Sequence, residues 1–118
     1  MSSRRVERVA GAVREVIAEM LLRDIKDPRI GMITLTAVEL SPDLKYAKVF
    51  FSCVADEAGR QRSLSGLRSA TGFIKAQVAR RLKLRLTPEI TFLFDATVEE
   101  ADRLATLLKD AASPKDEV

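Results

Sequence analysis

Histidine and tryptophan are absent from this chain, and cysteine and tyrosine each occur once. Without histidine there is no imidazole to carry protons near neutral pH or to ligate a metal. The single thiol, Cys53, excludes an internal disulfide and any multi-thiolate zinc or iron–sulfur site within one chain. It reads instead as a small buried hydrophobe. The opening MSSRRVERVAG has no apolar signal-peptide core. No apolar run approaches the roughly 18 residues a membrane-spanning helix needs. The expectation is a cytoplasmic protein without a membrane partner. No GxxxxGK[ST] loop is present to cradle a nucleotide phosphate, and no cofactor is expected.

What remains is a globular balance. Of 118 residues, 47% are hydrophobic and 31% charged, enough for one domain and against an extended disordered chain. The formal net charge is only +3, but its distribution is uneven. Segment 58–88 holds eight basic residues, Arg60, Arg62, Arg68, Lys75, Arg80, Arg81, Lys83 and Arg85, and no acid. The rest of the chain sets 12 basic against 17 acidic groups, a net of −5. If the fold gathers the basic segment on one surface, that surface attracts polyanions through phosphate contacts, nucleic acid first among them. The competing reading is a solvated helix face with incidental charge.

The hydrophobic pattern divides the chain into elements. Val6, Val9, Val13, Val16, Ile17, Met20 and Leu21 form a helical stripe over residues 4–24, with Ser3 as a candidate cap. Asp27-Pro28 and Gly31 mark a turn. Period-two alternation in Ile33-Thr34-Leu35-Thr36-Ala37 predicts a strand, Ser41-Pro42-Asp43 a connecting turn, and Ala47–Cys53 a second strand. Ala47, Val49, Phe51 and Cys53 share one face, with Lys48 and Phe50 on the other. Leu64, Leu67 and Ala70 make one short helical stripe, and Ile74, Val78 and Leu82 another. Gly72 lies between them as a helix end or bend. Ile90–Phe94 is the third strand. Thr97 with Glu100 has capping-box spacing before a terminal helix carrying Ala101, Leu104, Leu107 and Leu108. This order predicts an α+β sandwich, a three-stranded sheet with helices packed on one face.

Several segments then match a known pattern together. They are Ile25-Lys26-Asp27-Pro28-Arg29-Ile30-Gly31, Val38–Val49, Leu67-Arg68-Ser69-Ala70-Thr71-Gly72-Phe73-Ile74, and Leu86–Phe92 with Asp95. In their order and spacing they resemble the bacterial ribosome-binding factor A family over residues 4–108. The resemblance implies a single KH-like type II domain over residues 1–112, followed by a short flexible tail, 113–118. It implies an Ala-x-Gly interhelical kink, here Ala70 and Gly72, in place of the GxxG loop that clamps single strands in other KH domains. No GxxG occurs in this chain. The implied function is non-enzymatic: binding 16S rRNA in the free small ribosomal subunit and assisting late maturation, including 5′ end processing. The implied state is a monomer, with maturation GTPases as release partners. Many family members carry a longer basic tail, whereas here Lys115 is opposed by Asp116 and Glu117.

The candidate RNA contacts are all cationic. Arg80, Arg81, Lys83 and Arg85 are dense enough to bridge phosphates, although Arg81/Arg85 and Arg80/Lys83 fall on neighbouring helical faces. Arg68 and Lys75 flank the Ala70–Gly72 kink. Arg4, Arg5 and Arg8 begin the first helix, where positive charge opposes the helix dipole. Arg29 belongs to a turn that Pro28 restrains, within reach of a phosphate. Phe50 is placed for packing or for stacking on a base. Three other classes compete with an assembly factor. A general single-strand binder lacks its GxxG, and a Mg²⁺ enzyme needs Asp27, Asp43 and Asp95 to converge. A protein-interaction module would associate regardless of nuclease.

Overall fold

The apolar stripe of the first helical segment becomes α1, Ser3–Arg23, which buries Val13, Val16, Ile17 and Met20. This computed structural model describes residues 3–96 together with Leu104, Leu107 and Leu108. The expected capping box at Thr97, the remainder of the terminal helix and the 113–118 tail lie outside those residues. Leu104, Leu107 and Leu108 are helical and exposed. Helix α1 stops where Asp24 N and Ile25 N both donate to Met20 O. Pro28, which disfavours helix at Asp27, keeps it from resuming.

The turn after α1 is bound to its own aspartate and to a distant helix. Asp27 Oδ1 accepts from Arg29 N at 2.8 Å, and its carboxylate also takes the Arg29 guanidinium. Gly31 N donates to the buried Ser63 Oγ at 3.3 Å. Ile30 lies so close to Gly66 that a Cβ there would sit 2.6 Å from Ile30 Cγ1.

Strands β1, Ile33–Leu40, and β2, Tyr46–Cys53, form an antiparallel hairpin. Strand β1 runs three residues past the expected end at Ala37. Thr36 is the extra residue of a bulge, since Leu35 faces Phe51 while Ala37 faces Phe50. Alternation therefore changes phase there: Ile33 and Leu35 before the bulge share the face of Val38 and Leu40 after it. The connecting turn is held by Asp43, which accepts from Ser41 Oγ at 2.6 Å and Lys45 N at 3.0 Å, with Leu44 in the left-handed region at φ 63°.

Residues 57–82 correct one expectation. They form a single 26-residue helix, α2, Glu57–Leu82, not two helices meeting at Gly72. A glycine lowers helix stability by about 1 kcal/mol, but the buried face continues across it, with Leu67 before and Ile74 and Val78 after. Ala70 and Gly72 thus lie inside α2. The helix begins with Asp56 accepting from Gly59 N at 2.8 Å. It ends at Lys83, whose backbone is left-handed at φ 51° and whose N–H donates to Ala79 O.

Strand β3, Glu89–Phe94, returns parallel to β2, so the sheet order is β1-β2-β3 with β2 in the centre. Both helices share the face carrying Leu35, Ala47, Val49, Phe51, Ile90 and Phe92, and this layer is the core. Phe51 and Phe94 meet edge to face at 5.9 Å, and the Arg60 guanidinium lies 4.9 Å from the centre of the Phe94 ring. Thr36 Oγ1 donates to Asp95, tying the bulge to the end of β3. On the other face Ala37, Phe50 and Leu93 pair in one half-buried row.

Two glycines give opposite predictions. Gly66→Ala forces a methyl into Ile30 and should destabilise by about 1–3 kcal/mol. Gly72→Ala adds a methyl with nothing within 4 Å and should stabilise by about 0.5–1 kcal/mol. Urea unfolding of both variants measures this, and equal shifts would contradict the packing described. A second prediction concerns acid. Hydrogen bonds from Arg29 hold the Asp27 carboxyl below its ordinary 3.8, those from Ser41 and the Lys45 N–H do the same for Asp43, and Arg60 and Gln61 hold Glu57 below 4.5. Lowered folded values stabilise above the unfolded pKa and cease to as pH falls through them. Thermal stability from these groups should be flat above pH 4.5 and decline below pH 3.8.

Candidate nucleic-acid interface

Burial of Leu67, Ile74 and Val78 turns the opposite side of α2 to solvent. Along that side run Arg62, Ser65, Arg68, Ser69, Gly72, Ala76 and Arg80, ending at the cap residue Lys83, all exposed. Spacings of three and four residues place them on one face. Its centre is a floor of small side chains, Ser65, Ser69, Gly72 and Ala76. Arg62, Arg68, Arg80 and Lys83 stand around it. Small side chains let a sugar–phosphate backbone come near the helix while long cations reach up beside it, and the Phe73 ring, 49% exposed, stands at their edge.

The structure divides the expected contacts by what they already bind. Arg68, Arg80, Lys83 and Arg85 are exposed and show no acidic partner among the described residues. Arg81 turns away from this face and clasps α1, with Glu19 at 3.4 Å and Asp24 at 3.1 Å. Lys75 pairs with Glu89 of β3. Arg29 is held by Asp27 at 2.6 Å and reaches Ser65 Oγ at 3.4 Å, which brings the 27–31 turn against the edge of the α2 face. Arg4, Arg5 and Arg8 are exposed on the first turns of α1. Among the described residues, the ion pairs between α1 and α2 lie near the other end of α1.

This division sets the local field. A cation already paired with a carboxylate offers a phosphate little net charge. Exposed pairs of this kind add about 0–1 kcal/mol each to stability. Arg62, Arg68, Arg80, Lys83 and Arg85, which show no acidic partner among the described residues, therefore set the positive field of this face. A division of 57–82 into two helices hides Arg62 and the small-residue floor. Counting the segment as one helix aligns residues 62, 65, 69, 72, 76, 80 and 83 on sight.

The aspartates considered for metal chemistry are spread over separate features. Asp27 serves its turn with Arg29, Asp43 the hairpin turn, and Asp95 the β1 bulge. Among the described residues no three His, Cys, Asp or Glu side chains converge to hold a metal ion. Nor is any described helix long and apolar enough to cross a membrane. Beside α1 and the β1 edge lies a mainly apolar groove of about 800 Å³, where Leu22 and Met32 are exposed.

Comparison with known proteins agrees with this architecture. The ribosome-binding factor A family profile matches residues 5–108. The ribosome-binding factor A of Natranaerobius thermophilus is 43% identical over 109 residues, covering 92% of this chain and 83% of its own. That of Azoarcus is 45% identical over 107 residues, covering 91% and 85%. The crystal structure of ribosome-binding factor A from Thermus thermophilus superposes with a TM-score of 0.64 at 28% identity, over 75% of this chain and 93% of that one. Coordinates of the Thermus thermophilus factor fitted into a cryo-electron microscopy map of its 30S complex superpose at 0.56 with 29% identity, over 76% and 90%. The α2 face thus belongs to a domain matched over nearly its whole length, and the chain is a member of the ribosome-binding factor A family.

Proposed function

We propose that this chain is a non-enzymatic assembly factor that binds 16S rRNA in the free small ribosomal subunit. It docks through the exposed face of α2 and assists late maturation, including processing of the 16S rRNA 5′ end. The observation that carries this reading is the α2 face itself. Five cations without acidic partners among the described residues, Arg62, Arg68, Arg80, Lys83 and Arg85, lie on and just beyond a helix whose outward centre is small. The relative fitted into a 30S complex supports the choice of subunit.

The mechanism is differential affinity. A binder changes the populations of two rRNA conformations only as far as it prefers one, and a preference of about 1.4 kcal/mol shifts their ratio tenfold. Phosphates lie against Arg68, Arg80, Lys83 and Arg85, with Arg4, Arg5 and Arg8 as a second contact. Arg29, Lys75 and Arg81 contribute by holding the turn, β3 and α1 in place. The 5′ end effect is indirect, through nuclease access to the RNA. The factor acts as a cytoplasmic monomer, and maturation GTPases assist its release, in keeping with the family it belongs to.

Co-sedimentation with free small subunits, large subunits and joined ribosomes across a salt series tests this. Binding should select free small subunits. Removing one cation from a phosphate should flatten the salt dependence by about 0.7–0.9 log units per log unit of salt. Replacing Arg68, Arg80, Lys83 and Arg85 by Gln should weaken binding and flatten that slope together, whereas unchanged binding would place the contacts elsewhere. Lys83→Gly separates stability from function. It should stabilise the fold by about 1 kcal/mol by relieving a left-handed non-glycine residue, yet bind the subunit less tightly.

A further inference from the structure

Two aromatic rings are exposed among the described residues, Phe73 on α2 and Tyr46 away from it. Tyr46, the only tyrosine in a chain without tryptophan, begins β2 with 61% of its surface exposed. Its backbone is held firmly: Tyr46 N donates to Ser41 Oγ at 3.0 Å, and Tyr46 O accepts from Ser41 N at 2.9 Å. Its ring hydroxyl makes no hydrogen bond among the described residues. Next to it Leu86 is 68% exposed. Tyr46, Leu86, Lys45, Thr87 and Glu89 line a shallow notch of about 230 Å³. The notch is closed behind by Glu89 N donating to Lys45 O at 2.8 Å, and Pro88 beside it is fully buried. An aromatic ring and a leucine are thus presented to solvent on a braced backbone.

The surrounding charge indicates what the notch accepts. Lys45 is exposed in its lining and forms no ion pair among the described residues, with the Asp43 carboxylate close enough to feel its charge, and the exposed Arg85 precedes Leu86 in the chain. Its one acid, Glu89, is engaged by Lys75. The loop that carries Leu86 starts at Lys83, where the α2 face ends, and Arg85 lies between the two in the chain. An exposed ring and leucine with the Lys45 ammonium in the same lining fit a nucleobase beside its phosphate better than a peptide side chain. We infer that the notch is a stacking subsite for one unpaired nucleobase of the RNA bound by α2. The base lies on the Tyr46 ring with its edge over Leu86, and the flanking phosphates meet Lys45 and Arg85. Such a site reads the π-face, which every base has, and so tolerates any sequence. The inference rests on the RNA-binding reading of α2.

The test uses the full chain and purified free small subunits. Affinity is measured over a salt series for the natural protein and for Tyr46→Ala, Tyr46→Leu and Tyr46→Phe, with thermal unfolding of each free variant as the folding control. Tyr46→Ala and Tyr46→Leu should each weaken binding by about tenfold, and Tyr46→Phe should recover most of that affinity. The salt slope should stay at its natural value in all three, since stacking releases no counterions. Short-wave ultraviolet irradiation of the complex should leave a nucleotide adduct on the peptide containing Tyr46. Natural affinity in Tyr46→Leu would overturn the subsite by showing that only apolar contact matters. Natural affinity in Tyr46→Ala, alongside weakened Arg68 and Arg80 variants, would remove the notch and leave the α2 face standing. No binding of subunits by the natural protein would remove both.

Discussion

Burial of Leu67, Ile74 and Val78 against the sheet fixes the rotation of α2, and most of the molecule depends on it. A helix of 26 residues is about 39 Å long at the standard rise. It cannot turn on its axis without bringing Arg68, Arg80 or Gln61 into the core. Its outward face therefore follows from its inward one. The same rotation points Ser63 and Gly66 at the 29–31 turn, and Lys75 and Arg81 at β3 and α1. With only three strands, the sheet has one face to share between two helices, and α2 takes the half beside β3.

Cations in this small domain have two distinct duties. Those with carboxylate partners join elements: Arg81 links α2 to α1, Lys75 links it to β3, and Arg29 closes the turn after α1. Others, Arg62, Arg68, Arg80, Lys83 and Arg85, show no carboxylate partner among the described residues and face solvent along α2 and the loop beyond. The separation explains how a chain with a formal net charge of only +3 can present a surface for a polyanion. Acids are absent from residues 58–88, and the acids that neutralise part of that segment come from α1 and the residue after it, from β3 and from Glu57 at the start of α2. They meet its cations on the flanks of α2, away from the small-residue floor.

Much of this is legible in the sequence because it rests on periodic burial. The α1 stripe, the alternation of β2 and β3, and the one-sided packing of helices all follow from residues whose spacing matches their element. Two features are not legible, for identifiable reasons. The bulge at Thr36 reverses the phase of alternation, so Val38 and Leu40 fall on the wrong face of a regular strand and the pattern ends β1 early. Gly72 carries a genuine local penalty for helix, but the packing of Leu67, Ile74 and Val78 outweighs it. The role of Gly66 is invisible to periodicity because it is set by Ile30, far away in the chain. The basic character of the site is visible in composition. Which cations are already paired is not, because Glu19, Asp24 and Glu89 meet them only through the fold.

Directed cleavage of rRNA from a tethered hydroxyl-radical source tests most directly whether α2 lies against RNA. With Cys53 replaced by Ser, a cysteine introduced as Ser69→Cys on the small-residue floor would carry the iron chelate. A matched protein would carry it at Glu15→Cys on the exposed side of α1. Bound to free small subunits, the Ser69 probe should cut 16S rRNA at a confined set of positions and far more strongly than the Glu15 probe. Equal or absent cleavage from Ser69, with binding retained, would contradict the account.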